Sequence, residues 1–417
     1  MYPRALLLFF LAVFSLHSAE SDALAIDATL QARHFPYGTV LNPIFTQPGT
    51  TTIADYTRCG DSALWTGHYL AAEAFRYNVT GNPAALANLQ SALNGLTLLV
   101  NITGNDVLAR CAIPADSPYA ASISSQEASN GIYHATVNGK PWLWIGNTSR
   151  DQYSGVFFGL GAAYDLVADT AVKASISSLA TRMVNNLEGN LWNVIMPNLS
   201  VSATFLLRPD QELTLLQVAQ HVNPQAFGSD YSRQAGTLAA ASATPLAFDA
   251  ANNQSSYFKF NLDFINLYNL IRLQGPSAAL GYYETGFAAI HGATIAHHNA
   301  HFNMIDRALH GPNIGRDTDT RVALQQWLNR PRTDVFVDWR GKITTCGNAN
   351  EACDPLPVAH RPPSDFVWQL DPYQLSGGGS GIVETAGIDY LLPYWMARYY
   401  GVITLPETDE PVRRHPR

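Results

Sequence analysis

The sequence predicts an all-α protein in which successive helical hairpins close into a toroid. Three observations predict it. Apolar residues recur at helical spacing along most of the chain, whereas the alternation of a half-buried strand is rare. Neighbouring helical segments are joined by very short connections, which makes them antiparallel pairs. Two long segments without helical periodicity, 111–149 and 335–381, carry many ring-bearing side chains: Tyr133, His134, Trp142 and Trp144 in the first, Trp339, His360, Trp368 and Tyr373 in the second. Long loops in a compact domain are functional or disordered, and this aromatic content argues against disorder. An inner ring of helices wrapped by an outer one would gather such loops around a central funnel; an irregular bundle or solenoid is the plainer alternative.

Taken from the N-terminus, Arg4 is followed by an apolar run from Ala5 to Leu16 and then by Ala23-Leu24-Ala25. That pattern predicts a secretory signal peptide, residues 1–25, cut after Ala25. The run falls short of the ~20 apolar residues that span a bilayer, and no later segment approaches that length. The remainder is expected to be a secreted or periplasmic protein with one domain over residues 26–404 and a charged tail over 405–417. Four cysteines, Cys59, Cys111, Cys346 and Cys353, suggest two disulfides in an oxidising compartment. Cys346 and Cys353 bracket a short polar loop and would staple it, which leaves Cys59 with Cys111.

The first helix reads from a cap at Asp61 or Ser62 to Gly81, and Pro83 opens its partner, which runs to about Gly104. A second hairpin covers Asp151 to about Ala168 and about Ala171 to Leu187. Further helices are expected near Pro209–His221, Ser229–Ala247, Phe258–Leu273, Ala278–Ile290, Thr294–Leu309, Thr318–Leu328 and Asp389–Tyr400. Within the first long segment, "IYHATVNGKPWLWIG" reads as a β-hairpin turning at Asn138-Gly139.

Charged residues make up 14% of the chain, the net charge is −8 and aromatics reach 11%. This balance disfavours nucleic acid and anionic membranes as partners and suits neutral or sugar-like ligands. The sequence contains no G-x-S-x-G elbow, P-loop or dinucleotide fingerprint in the required context, so serine esterase, kinase and dehydrogenase readings lack their chemistry.

With "DSALWTGHYLAAEAFRY" and "SRDQYSGVFFGLGAAYD" on helical hairpins, the chain resembles the six-hairpin glycosidase group, whose fold is an (α/α)6 toroid. That group includes unsaturated glucuronyl hydrolases, related glycoside hydrolases and some uronate polysaccharide lyases. The resemblance is one of architecture over most of the chain. It implies a carbohydrate-active enzyme, with a glycoside hydrolase first, a uronate lyase second and a non-catalytic glycan-binding or cell-envelope protein as the rival from another class.

Hydrolysis of a glycosidic bond needs two carboxyl groups about 5–9 Å apart. Asp151, with Arg150, Gln152 and Tyr153 beside it, opens one helix. Asp61 opens another, with Trp65 and His68 four and seven residues on, facing the same way. Asp210 follows Arg208-Pro209 at the start of a third. Each acid has a competing local role as a cap or first-turn acid, favoured by free N–H groups and the helix dipole. Lyase chemistry would instead draw on His298, Asn299 and His301 in "IAHHNAHFNMIDRALHG" as base and carboxylate partner. The zinc reading of that run fails, because the position after His297 is His298 where the metalloprotease pattern has Glu. His134 and Trp144 from the first long segment, and Glu384 and Asp389 near the last helix, complete the expected carbohydrate contacts. No metal or cofactor is expected.

Overall fold

The computed structural model describes residues 20–252 and 256–404. The first nineteen residues of the expected signal peptide and the charged tail lie outside the described residues. Among those described, thirteen α-helices follow in order: α1 (Glu20–Thr29), α2 (Ser62–Thr80), α3 (Pro83–Asn101), α4 (Ala120–Gln126), α5 (Arg150–Leu166), α6 (Thr170–Gly189), α7 (Pro209–Val222), α8 (Pro224–Ala251), α9 (Lys259–Arg272), α10 (Ala278–Thr294), α11 (Ala300–His310), α12 (Ile314–Trp327) and α13 (Ile388–Tyr399).

Six of them pack in a closed circuit: α2 on α5, α5 on α7, α7 on α9, α9 on α11, α11 on α13, and α13 back on α2. Six others flank that circuit, with α3 against α2, α6 between α5 and α7, α8 on α7, α10 on α9, α12 on α11 and α1 on α13, while α4 packs on β2 (Ile53–Thr57). Burial separates the two sets. In α9, 13 of 14 residues are buried, and in α8 only 6 of 28 are. A helix buried on every side belongs to a core, and one with a single apolar stripe covers it.

Local chemistry sets the boundaries. Asn82 and Asp169 cap α3 and α6 with their side-chain oxygens, and Gly81 ends α2 at a positive φ of 63°. The α2–α5 contact is closer than side chains allow. A Cβ on Gly67 would lie 2.1 Å from the Gly155 carbonyl oxygen, and one on Gly159 would lie 2.2 Å from the Gly67 carbonyl oxygen. Only glycine admits backbones that near.

Both long segments contain regular structure that periodicity does not reveal. The first holds β3 (Cys111–Pro114), α4, β4 (Ile132–Val137) and β5 (Lys140–Ile145), with sheet order β3-β5-β4. The β4–β5 turn places Asn138 and Gly139 at φ 51° and 78°, the left-handed pair that the Asn-Gly signal demands. The second segment supplies most of β8 (Thr333–Asp338) and most of β9 (Ser376–Glu384). These join β1 (Asn42–Phe45) and β2 (Ile53–Thr57) in a sheet of order β2-β1-β9-β8. A two-stranded ribbon, β6 (Asn193–Ile195) and β7 (Val201–Thr204), links α6 to α7. The cysteines pair as Cys59–Cys111 and Cys346–Cys353.

Several helical boundaries depart from the sequence reading, with α8 starting at Pro224 and not near Ser229, and α12 at Ile314 and not near Thr318. The helix expected from Thr294 begins at Ala300, because His298 takes a φ of 49° and Asn299 caps the new start. His297 and His298 therefore precede α11 and do not share its face with His301. At the other end of the chain, α1 starts at Glu20, five residues before the expected cleavage point falls inside it. Its Ala23 and Ile26 are buried, its Asp27 ion-pairs with Arg76 at 2.6 Å, and Glu20 ion-pairs with Arg398 at 2.5 Å. Among the described residues no helix is long and apolar enough to cross a membrane.

Candidate functional site

Asp61 occupies the N-cap position of α2, yet its side chain makes no capping bond. Two other groups do that work. The Ala63 N–H donates to the Arg110 carbonyl at 2.9 Å, and the Leu64 N–H donates to Gln152 Oε1 at 3.0 Å. An N-cap side chain normally serves the N–H groups at these two positions. The Asp61 carboxyl is thereby released from its local duty. Gln152 Nε2 stands 3.5 Å from Asp61 Oδ1, so the same amide that caps α2 also borders the freed acid.

The Asp61 carboxyl lines an open cavity of about 500 Å³. Arg58 and Gly60 enter its wall from the turn before α2, and Arg110 from the end of the α3–β3 connection. Gln126, Glu127 and Asn130 come from α4 and its exit, with Asp334 from β8. Arg110 is fixed by donating to the Asn147 carbonyl at 3.1 Å and the Gly60 carbonyl at 2.8 Å. Glu127 accepts from the Gly60 N–H at 2.8 Å and from Asn130 Nδ2 at 2.6 Å. A Cβ on Gly60 would lie 2.8 Å from Glu127 Oε2, so a side chain there would displace the Glu127 carboxyl. Arg58 adopts a left-handed φ of 66° and ion-pairs with Asp365, a backbone conformation costly for a non-glycine residue.

Burial raises the Asp61 pKa above the usual carboxylate range. Arg110 and Arg58 pull it back, and the charges of Asp151 and Glu127 push it further up. Asp151 is raised in the same way, first by burial, against Arg150, Arg110 and Arg208. A carboxyl whose pKa is raised by burial and by a neighbouring acid is shifted in the direction a general acid needs.

Around this pocket the structure gathers Asp61, Gln152 and, through their charges, Asp151 and Arg150. Arg150 itself is committed to Gln211 Oε1 at 3.0 Å and to the Thr204 carbonyl at 2.8 Å. The other expected residues lie elsewhere. Tyr153 is fully buried, and its hydroxyl accepts the Leu108 N–H at 3.1 Å. Asp210 is fully buried and held by two bonds from Arg208, at 2.9 and 2.8 Å; the same guanidinium binds Asp249 and Asp263. Glu384 takes Arg33 and His34, both within 3.3 Å. Asp389 accepts the Val367 N–H at 2.8 Å, and the Asn299 side chain caps α11. Trp144 is buried and stacks on Tyr133 with ring centres 4.3 Å apart, while His134 is exposed on β4.

Trp65, His68 and His301 meet where the circuit of helices closes on itself. His68 is 6.0 Å from His301 between ring centres, Phe158 of α5 lies beside both, and Asn261 Nδ2 is 3.1 Å from His68 Nε2. The expected funnel is filled there by the chain's own second long segment. Trp368 packs 4.9 Å from His301 and 5.3 Å from His68, and Phe366 sits edge-on to Trp65 at 4.9 Å. Burial lowers the His68 pKa to about 4 and holds that of His301 well below its ordinary value, so both rings are neutral. His298 stands apart, in a separate cavity described below.

Of the eleven residues lining the pocket, local sequence reasoning singles out Asp61 alone. Arg110, Glu127, Asn130 and Asp334 lie in loops or short elements with no periodicity to mark a facing side. The one legible clue was Arg110 beside a cysteine expected to be bonded. Among the described residues no group of three or more His, Cys, Asp or Glu side chains is placed to hold a metal ion.

No protein-family model and no curated protein matches the sequence. Among solved structures the chain is similar to cellobiose 2-epimerase from Spirochaeta thermophila DSM 6192. The two share 8% sequence identity with a TM-score of 0.44 over 91% of this chain and 97% of that one.

Proposed function

We propose that the closed circuit of helices is an (α/α)6 toroid and that the chain is an exported carbohydrate-active enzyme, a glycoside hydrolase, working in the Asp61 pocket. One observation carries the reading: Asp61 is excused from capping by Gln152 and the Arg110 carbonyl, lines the 500 Å³ cavity, and has a pKa raised by burial.

Hydrolysis of a glycosidic bond needs one carboxyl to give a proton to the leaving oxygen and a second to act as base or nucleophile. In this proposal Asp61 is the proton donor, with the Asp151 charge helping to keep its proton in place. Glu127, whose two oxygens are both oriented by hydrogen bonds, is the second carboxyl. Arg58 and Arg110 donate to hydroxyl or carboxylate oxygens of the substrate. The wall contains no aromatic ring, so the sugar is held by hydrogen bonds and not by stacking on Trp144 or Trp65.

The test compares wild type with Asp61→Asn and Glu127→Gln on neutral and uronate-containing glycans. Reducing ends and ultraviolet absorbance are read together, and circular dichroism checks the fold. The reading predicts release of reducing ends without absorbance in wild type and its loss in both folded variants. Full activity in Asp61→Asn, an absorbing unsaturated product, or a wild type that cleaves none of the glycans would each overturn it.

A further inference from the structure

A second cavity, of about 330 Å³, shares no lining residue with the Asp61 pocket. Its polar corner is His298, and several features of the chain hold that residue in place. Left-handed backbone is costly for a side chain such as histidine, and His298 sits at φ 49°. Both neighbours are buried and pinned. The His297 ring lies 3.1 Å from the Tyr257 hydroxyl, and its carbonyl accepts from the buried Arg361 guanidinium at 2.5 Å. Asn299 Oδ1 accepts the His301 N–H at 3.1 Å. His298 alone of the three is turned outward, with 46% of its side chain exposed.

A relay then fixes the ring. Asn303 Nδ2 donates to Asp319 Oδ2 at 2.9 Å, and Asp319 Oδ1 stands 2.6 Å from His298 Nδ1. A carboxylate at Nδ1 favours the tautomer with its proton there and leaves Nε2 as an oriented acceptor. The cavity wall facing it is apolar, formed by Val322, Pro355 and Pro357, with Thr318 at the edge. The volume falls within the range of small-ligand clefts, which combine an apolar wall with a few placed polar groups.

We propose that this cavity is a second ligand site, taking a neutral ring-shaped molecule whose hydroxyl donates to His298 Nε2 while an apolar face rests on Pro355 and Pro357. The Asp319 carboxylate beside the imidazole disfavours anions, and the absence of a three-ligand cluster among the described residues disfavours a metal ion. A sugar or a cyclic polyol meets both requirements.

The experiment is a nuclear magnetic resonance titration of the full chain with cellobiose, maltose and myo-inositol, each up to ~50 mM, the range that detects millimolar binding. It follows the His298 imidazole C–H signal, assigned from His298→Asn, a replacement that tolerates the left-handed backbone. The expected result is a saturable shift with at least one probe in wild type and in Asp61→Asn. That binding, followed by calorimetry, is lost in His298→Asn and weakened about tenfold in Asp319→Asn, the scale of removing an orienting partner. No saturable shift with any of the three probes, or binding unchanged in His298→Asn, overturns the proposal. Because Asp61→Asn leaves this cavity intact, failure here and failure of the hydrolase reading are separate results.

Discussion

Replacing Gly159 by alanine tests whether α2 and α5 meet backbone to backbone. The added Cβ would stand 2.2 Å from the Gly67 carbonyl oxygen, whereas carbon and oxygen settle at a little over ~3 Å. The helices must separate by roughly 1 Å, and no flexible side chain can yield in their place. Overpacking a core costs about 1–3 kcal/mol, and a backbone collider between two largely buried helices puts Gly159→Ala at the upper end, ~3 kcal/mol. Gly236→Ala is the matched control. It lies inside α8 with nothing within 4 Å of its Cβ position, so alanine there gains helix propensity worth up to ~1 kcal/mol. At about 2 °C per kcal/mol for a chain of this size, thermal melts should fall by ~6 °C in the first variant and rise by ~2 °C in the second. Asp61 and Gln152 ride on the starts of these two helices, so the folded Gly159→Ala protein should also lose activity at temperatures well below its melt. A Gly159→Ala melt within 1 °C of wild type would falsify the close-approach argument.

Three further outcomes are expected. Arg208→Ala leaves the buried carboxyls of Asp210 and Asp263 and the half-buried Asp249 without their shared cation. Denaturant melts should show a loss of ~3–5 kcal/mol that shrinks as the pH falls and Asp263 and Asp249, both raised by burial, take up protons; a loss independent of pH would contradict the assignment. Glu212 has its pKa raised to about 7, chiefly by burial and then by Glu188. A raised carboxyl favours the fold below its ordinary value and loses that contribution as the pH climbs toward 7. Glu212→Gln should therefore stabilise the protein at pH 8 by ~1–3 kcal/mol and leave it unchanged at pH 4, and equal effects at both would refute the shift. Finally, a chain beginning at Ile26 lacks the Glu20–Arg398 pair and the buried Ala23. It should melt below one beginning at Glu20 when the two chains are compared by thermal denaturation. An undiminished melt would show that the first half of α1 is dispensable.

Helices and their ends were legible wherever a cap or breaker stood beside a periodic run. Asn82-Pro83, Gly81 and Pro209 mark the observed boundaries, and the Asn138-Gly139 hairpin and both cysteine pairs follow from local chemistry alone. Local rules failed where a distant residue decided the outcome. Asp61 reads as a cap because caps are chosen locally; Gln152, ninety-one residues on, takes over that role. Tyr153 stands next to the site in sequence but one position around the helix, and this turns it into the core. The histidine run reads as one helix until His298 adopts a conformation held by Tyr257 and Arg361. The filling of the ring by Phe366 and Trp368 has no signature in a segment with neither periodicity nor repeats.

The Cys59–Cys111 bond stands at the seam of the Asp61 pocket. Arg58, Gly60 and Asp61 flank one cysteine and Arg110 precedes the other, so a single covalent link holds both walls at once. By closing a loop across 52 residues it restrains the unfolded chain by about 4 kcal/mol in the chain-entropy picture. Assembly of the pocket is therefore tied to sulfur chemistry. While the thiols are reduced, the two walls are joined by hydrogen bonds, with Arg110 reaching the Gly60 carbonyl and the Ala63 N–H reaching the Arg110 carbonyl. Once they oxidise, a covalent link holds the two walls of the pocket together.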